Sequence, residues 1–294
     1  MKILLLGADG QLGTELRRSL APLGTLVSAT CDGTLPGGGR CETLDFLRPE
    51  SIAPLIDRIG ADVVVNAAAY TAVDRAEGEP DLAHAINATA PASIATACAA
   101  RDALLLHYST DYVFDGSATR PWREDDATAP LGVYGASKLA GERSIAASGV
   151  RHLVLRTAWL YALHGSNFLR TMLRLAGEGR DVRVVADQFG SPTPAWLVAD
   201  VSATVLADGV KTSGVRHLAA GGRASWHDFA MAIFSQAQQR GLIATTPRVD
   251  AIESAAYPTR AVRPRYSVLD SRRLRDEYGL VLPDWQDALR RTFE

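Results

Sequence analysis

The chain has 294 residues, 47% of them hydrophobic, enough to bury the core of one large or two modest domains. Charged residues make up 22% and the formal net charge is −2, so no basic field invites a nucleic-acid polymer. No apolar run is long enough to cross a bilayer, and three widely spaced cysteines (Cys31, Cys41, Cys98) fit neither a disulfide framework nor a zinc site, so a cytoplasmic setting is expected.

Short apolar runs alternate with helical stretches. The first run, residues 3–6, is too short for a signal peptide and reads as a buried strand. Residues 11–20 place Leu12, Leu16 and Leu20 four apart, on one helical face. A second strand at 26–29 ends near Thr30-Cys31-Asp32. Residues 49–59 open with a proline, which a first helical turn tolerates. A third strand at 63–65 is followed by an alanine-rich helix over 81–101, with Asp81 at its cap. Strands at 104–107 and 153–155 come next. These runs are uniformly hydrophobic and often β-branched, as in strands covered on both faces. The fold class predicted is α/β, a Rossmann-type doubly wound parallel sheet.

Beyond residue 160 the pattern loosens. Helices are predicted at 167–177, 196–206, 226–239 and 285–293, and strands at 182–185 and 215–219, with a rigid loop at 190–194. The expected division is an NAD(P)-binding domain over 1–161 and a mainly substrate-binding lobe over 162–294, with elements near 196–218 returning to the sheet.

Gly7, Gly10 and Gly13 stand at GxxGxxG spacing between the first strand and the first helix. Glycine there lets the backbone approach a pyrophosphate, and the helix N-terminus offers unpaired N–H groups and a positive dipole end. That context points to a dinucleotide. A carboxylate at Asp32 would hydrogen-bond an adenine ribose and favour NAD; Arg40 folding back would favour NADP; both readings stand. Asp45 and Phe46 suit an adenine cap, or a turn residue and a core aromatic. Ala67, Ala68 and Ala69 would let the backbone approach a cofactor, or serve tight packing.

Tyr134 and Lys138 form YxxxK, which on a helix puts both side chains on one face. An ammonium beside the phenol favours phenolate and lowers its pKa, and such a tyrosine can give a proton to a ketone oxygen as hydride reaches carbon. Ser109 or Thr110, at the carboxyl end of the fourth strand, could donate to the same oxygen. His107, within that strand, reads as a satisfied core histidine, and Trp122, Trp226 and Trp285 as structural.

Together these signals resemble the extended short-chain dehydrogenase/reductase family. Within it, STDYVFDG (109–116), NAAAYTAVDRAE (66–77), YGASKLAGE (134–142), RTAWLY (156–161), DQFGSPT (187–193) and RPRYSVLD (263–270) look like the dTDP-4-dehydrorhamnose reductases. The resemblance runs the length of the chain. It implies reduction of the 4-keto group of a dTDP-4-dehydro-6-deoxy-sugar by NADPH or NADH. It assigns Tyr134 as general acid, Lys138 as its tuner and a ribose ligand, and Thr110 as carbonyl donor. Thr110, Asp111 and Trp159 would contact the sugar, and Tyr112 would line its pocket. Gly10, Gln11, Leu12, Asp45, Phe46 and residues 67–69 would contact the cofactor. The related dehydratases carry Thr-Asp-Glu at the strand end. Here Tyr112 follows Thr110-Asp111, so the base needed to eliminate water is missing.

Two departures bear on assembly and binding. Some family members bridge a homodimer through magnesium; Glu15 matches one ligand position, but Trp196 replaces the second carboxylate. Tyr266 stands where asparagine is common, and Arg263 is a candidate for a substrate phosphate or a solvated loop charge. The competing functions are a nucleotide-sugar epimerase, a reductase of another deoxysugar, and a non-catalytic NADP-binding regulatory subunit. The intact Thr110–Tyr134–Lys138 set argues against the last.

Overall fold

The computed structural model describes residues 1–294. At its centre lies a seven-stranded sheet made of β1 (Lys2–Leu6), β2 (Thr25–Thr30), β3 (Glu42–Thr43), β4 (Val63–Asn66), β5 (Leu104–Thr110), β6 (His152–Thr157) and β7 (Gly214–His217). The order is β7-β6-β5-β4-β1-β2-β3, and every pairing is parallel. Chain direction across the sheet reverses between β1 and β4, which makes their carboxyl ends the switch point where such sheets bind ligands.

The uniform hydrophobicity of the strands has a direct cause in this packing. Alternate residues serve opposite layers: Ile3 and Leu5 join one apolar cluster, Leu4 and Leu6 another. The first layer holds α1 (Gln11–Leu20), the second α2 (Ile52–Ile59), α3 (Ala90–Ala100) and α4 (Val133–Ala147). Every residue of β4 and β5 is buried. Even the polar end of β5 is withdrawn from water, so His107, Ser109 and Thr110 must find partners inside the protein or in a ligand.

Between β4 and β5, the segment near 81–101 corrects the expectation of one capped helix. It is α-helical over Pro80–His84, π-helical over Ala85–Thr89, and α-helical again in α3. Asp81 is not the cap: Pro80 occupies the first turn and Glu79 precedes it. Asn87, in the wider π turn, donates from Nδ2 to Ser137 Oγ (3.0 Å) and to Tyr70 O (3.0 Å), and accepts from Tyr70 N (2.9 Å). The irregular turn thus ties α4 to the loop after β4, consistent with the occurrence of π segments near functional sites.

The C-terminal part adds α5 (Phe168–Gly177), α6 (Ala195–Asp208), α7 (Trp226–Gln239), α8 (Arg272–Tyr278) and α9 (Trp285–Thr292). Helix α6 packs on α1, and β7 joins the sheet beside β6. A two-stranded parallel pair, Val182–Val185 with Val249–Ile252, builds the outer part. Helix α7 starts with a reciprocal cap: Ser225 Oγ accepts from Asp228 N (3.0 Å), and Asp228 Oδ2 accepts from Ser225 N (2.9 Å). The apolar cluster under α1 runs on without a break to Phe229, Phe234 and Trp285, so sheet and lobe share one core.

Candidate active site

A cleft of about 750 Å³ opens at the carboxyl ends of β1, β4 and β5, within the usual size of ligand pockets. Gly7, Gly10, Gln11 and Leu12 form one wall. Gly7 adopts φ +75°, and a Cβ there would sit 2.6 Å from Ala68 N. Only glycine lets β1 turn while the residue 67–69 backbone comes this close. Gly10 caps α1 without a side-chain bond, and the first turn carries no acidic residue. Its N–H groups and dipole therefore face the cleft free to take an anion. This suits a pyrophosphate. Gly13 lies off the cleft: a Cβ there would run into the Gly7 carbonyl, so it serves the packing of α1 on the turn.

Asp45, Phe46, Ala67, Ala68 and Ala69 also line the cleft. Asp45 additionally closes its own turn, accepting from Leu47 N at 2.9 Å. Asp32 is not among the residues that line the cleft. Strand β2 ends at Thr30, and Oδ1 of Asp32 accepts from Thr34 N (2.9 Å) and Thr34 Oγ1 (2.8 Å). Its carboxylate closes a local turn, while Thr30 and Cys31 face the cleft instead.

The opposite wall brings together Thr110, Asp111, Tyr112, Tyr134, Lys138 and Trp159. Helix α4 begins with Val133 N donating to Glu77 Oε1 (2.8 Å), a carboxylate placed where the helix dipole favours it. Gly135, two residues later, has a steric reason: a Cβ would run into the Tyr112 carbonyl, so glycine seats Tyr134 and Tyr112 edge to face, 5.6 Å between centroids. Lys138 is buried and donates to Tyr108 O at 2.6 Å. Burial brings its pKa down to about 8, against the opposing pull of Glu142. Tyr134 behaves otherwise than the sequence suggested. Desolvation pushes its phenol up to about 12, with the Thr110 hydroxyl working the other way. In the free chain the phenol is a held proton, ready to donate, rather than a phenolate.

Three buried polar atoms on this floor have no partner: Ser109 Oγ, Asp111 Oδ2 and Thr157 Oγ1. All three residues line the cleft. Orphaned buried groups are costly, and here three of them are gathered on one floor of the cleft, where a polar ligand could satisfy them. Asp111 shows the cost directly, because burial pushes its carboxyl up to about 6 while Ser267 and Thr110 pull it back. A raised folded-state pKa favours folding at low pH and ceases to do so as pH rises through that value. Asp111→Asn is therefore expected to stabilise the fold at pH 7.5 by at most about 3 kcal/mol, and the gain should vanish near pH 3.5. Urea midpoints at the two pH values check this; an equal shift at both would contradict it.

Trp159 takes a left-handed backbone, φ +46°, rare for a bulky residue. Its ring lies on Trp226, 3.5 Å between centroids and nearly parallel, and covers Gly190, where a Cβ would enter the indole. Trp226, expected to be structural, thus belongs to the cleft wall. The signal was faint because an aromatic at a helix start is ordinary core composition. Arg263 is not a free loop charge: Nη2 pairs with Asp74 Oδ2 at 2.7 Å.

Glu15 is held by His164 Nε2 (2.9 Å) and Arg18 Nε (3.4 Å). Trp196 donates to Thr292 Oγ1 (2.9 Å) beneath the Arg291 guanidinium. No group of three or more His, Cys, Asp or Glu side chains is placed to hold a metal. Glu15 thus has partners within the chain, and Trp196 brings an indole rather than a carboxylate to its position.

Residues 1–294 match the family described as the RmlD substrate binding domain. The dTDP-4-dehydrorhamnose reductase of Shigella flexneri is 46% identical over 294 residues, spanning 99% of this chain and 96% of that protein. The enzyme of the same name from Escherichia coli K12 is 45% identical with the same coverage. A crystal structure of the Bacillus anthracis dTDP-4-dehydrorhamnose reductase in complex with NADP is similar at a TM-score of 0.89 and 33% identity, over 99% of this chain and 98% of that one. Agreement over the full length, in sequence and in fold, places this chain in the dTDP-4-dehydrorhamnose reductase family of extended short-chain dehydrogenases/reductases.

Proposed function

We propose that the chain reduces the 4-keto group of dTDP-4-dehydro-L-rhamnose to give dTDP-L-rhamnose, with NADPH or NADH as reductant. The observation that carries this reading is the convergence of Tyr134, Lys138 and Thr110 on one wall of a cleft whose other wall is an uncapped glycine-rich helix start. Gly7, Gly10, Gln11 and Leu12 would hold the pyrophosphate, Asp45 and Phe46 the adenine, and Lys138 the nicotinamide ribose. The bound cofactor supplies a hydride to C4. Tyr134 supplies the proton, so that one C–H and one O–H bond form and the carbonyl π bond is lost. Thr110 donates to the oxygen as its charge grows. Asp111, Ser109 and Thr157 orient the sugar through their unpaired atoms, and Trp159 on Trp226 gives it an apolar wall.

Tyr112 supports reduction over dehydration, because the position after Asp111 carries no carboxylate to take a proton from the sugar ring. Asp32 Oδ1 accepts from Thr34, and its Oδ2 has no partner in the chain, so both NADPH and NADH stay in the reading. Residues 1–161 serve as the cofactor half and 162–294 mainly as the substrate lobe, with α6 and β7 in the sheet layer. A homodimer and a cytoplasmic setting complete the reading; they rest on the family resemblance, and no helix is long and apolar enough to cross a membrane.

The test is NADPH absorbance in the presence of enzymatically generated dTDP-4-dehydro-L-rhamnose. Oxidation that begins only on adding the keto-sugar supports the assignment. Tight NADPH binding with no turnover would instead favour a regulatory binding module.

A further inference from the structure

His107 is fully buried in β5 and lies opposite Asn66 of β4 in the strand register. Its two ring nitrogens both have neighbours: Nδ1 is 3.1 Å from Asn66 Nδ2, and Nε2 is 3.3 Å from Lys138 Nζ. The roles in this chain follow from its one immutable member. The backbone N–H of Ala68, on the loop facing the cofactor cleft, donates to Asn66 Oδ1 at 3.1 Å. A backbone N–H is only ever a donor, so Asn66 must turn its oxygen to Ala68 and its NH₂ to His107. Nδ1 then has to offer a lone pair. A neutral imidazole with Nδ1 bare carries its proton on Nε2, and that N–H points at Lys138. An ammonium has three donors and no lone pair, so it would meet Nε2–H donor against donor. An amine satisfies every group: its lone pair accepts from Nε2–H, and one of its own hydrogens goes to Tyr108 O, 2.6 Å away.

We propose that Ala68 N–H, Asn66 and His107 form an oriented hydrogen-bond chain that biases Lys138 toward its neutral amine, which makes His107 and Asn66 positioning residues for the proton chemistry of the cleft. The proposal rests on the reductase reading for its kinetic consequence, but not for its structural one. Burial holds His107 neutral, well below the usual histidine range, and Lys138 reinforces this. The other ionisable groups around Lys138 are Tyr134 and Glu142 on its own helix, Arg156 of β6 paired with Glu142, and Asp111 beside Thr110. Among these, Glu142 favours the ammonium, so the histidine chain and Glu142 set the lysine between them. Because the ammonium form stabilises a tyrosinate, the alkaline limb of the pH–rate profile reports where the balance lies.

The experiment uses full-length protein with ¹⁵N-labelled imidazoles. Two-bond ¹⁵N–¹H correlation spectra distinguish a ring nitrogen bearing hydrogen from one bearing a lone pair, and His107→Gln identifies the resonance. The wild type should show His107 with Nε2 protonated and Nδ1 bare. In Asn66→Asp, the carboxylate accepts from both Ala68 N–H and Nδ1–H, so the proton should move to Nδ1. The alkaline limb of kcat should then rise by about one pH unit or more, with KM for the keto-sugar little changed. An added negative charge alone would raise the limb without moving the imidazole proton. A wild-type spectrum with Nδ1 protonated overturns the proposal, as does a switched tautomer with an unmoved limb. Absence of turnover would sink the reductase reading while leaving the wild-type spectrum to decide the hydrogen-bond chain.

Discussion

Tyr134→Phe is expected to cut kcat by roughly 10²–10⁴-fold, the range for removal of a positioned proton donor. Affinity for NADPH should be little altered, because the glycine-rich wall is untouched and the ring still packs against Tyr112. The change removes one oxygen from a side chain whose phenol is held protonated up to about 12. Loss should therefore persist across neutral and mildly alkaline pH. Single-turnover NADPH oxidation separates the two steps. A variant that binds NADPH normally and turns over at more than a tenth of the wild-type rate would remove Tyr134 from its role.

The second large effect concerns the support beneath the cleft. Arg156 and Glu142 form a two-point ion pair, Nε to Oε1 at 2.9 Å and Nη2 to Oε2 at 2.7 Å, with side chains only 4% and 5% exposed. The guanidinium also lies 5.2 Å from the Phe114 ring centroid. Removing one partner strands the other charge in the interior. Glu142→Leu should destabilise the fold by about 3–5 kcal/mol, measured by urea unfolding. The double variant Glu142→Leu/Arg156→Met should recover much of that loss, since it leaves no unpaired charge. Equal losses in the single and double variants would show that packing, not charge, is what the pair provides. Since Glu142 and Arg156 join α4 to β6, the pair also fixes the helix that carries Tyr134 and Lys138 against the sheet.

Much of this site could be read from the chain because its parts are local. The glycine-rich turn, the strand-end hydroxyl of Thr110 and the i, i+4 pair of Tyr134 and Lys138 each sit within a few residues of an element boundary, where periodicity and turn chemistry speak clearly. Asp32 stayed open in the sequence because a strand end and a carboxylate look the same whether the side chain faces a ligand or closes an Asx turn; the turn with Thr34, two residues on, is visible only in the structure. Trp226 and Asn87 were invisible for another reason. Their partners, Trp159 and Ser137, are 67 and 50 residues away in sequence, and only the fold brings them into contact. The same holds for Arg263, whose partner Asp74 lies 189 residues upstream. The π turn at Ala85–Thr89 carries no mark at all in an alanine-rich stretch. The lowered pKa of Lys138 depends on burial, and the shape of its surroundings is a tertiary property.

The central claim is hydride delivery to C4 of a keto-sugar nucleotide in the cleft between the glycine-rich turn and Tyr134. It is tested most directly with NADPH deuterated at both C4 positions of the nicotinamide and dTDP-4-dehydro-L-rhamnose, with NMR and mass analysis of the product. The prediction is dTDP-L-rhamnose carrying one deuterium, at C4 of the sugar, for each NADPH oxidised. NADPH that binds and stays unoxidised, or deuterium at any other sugar carbon, would contradict it.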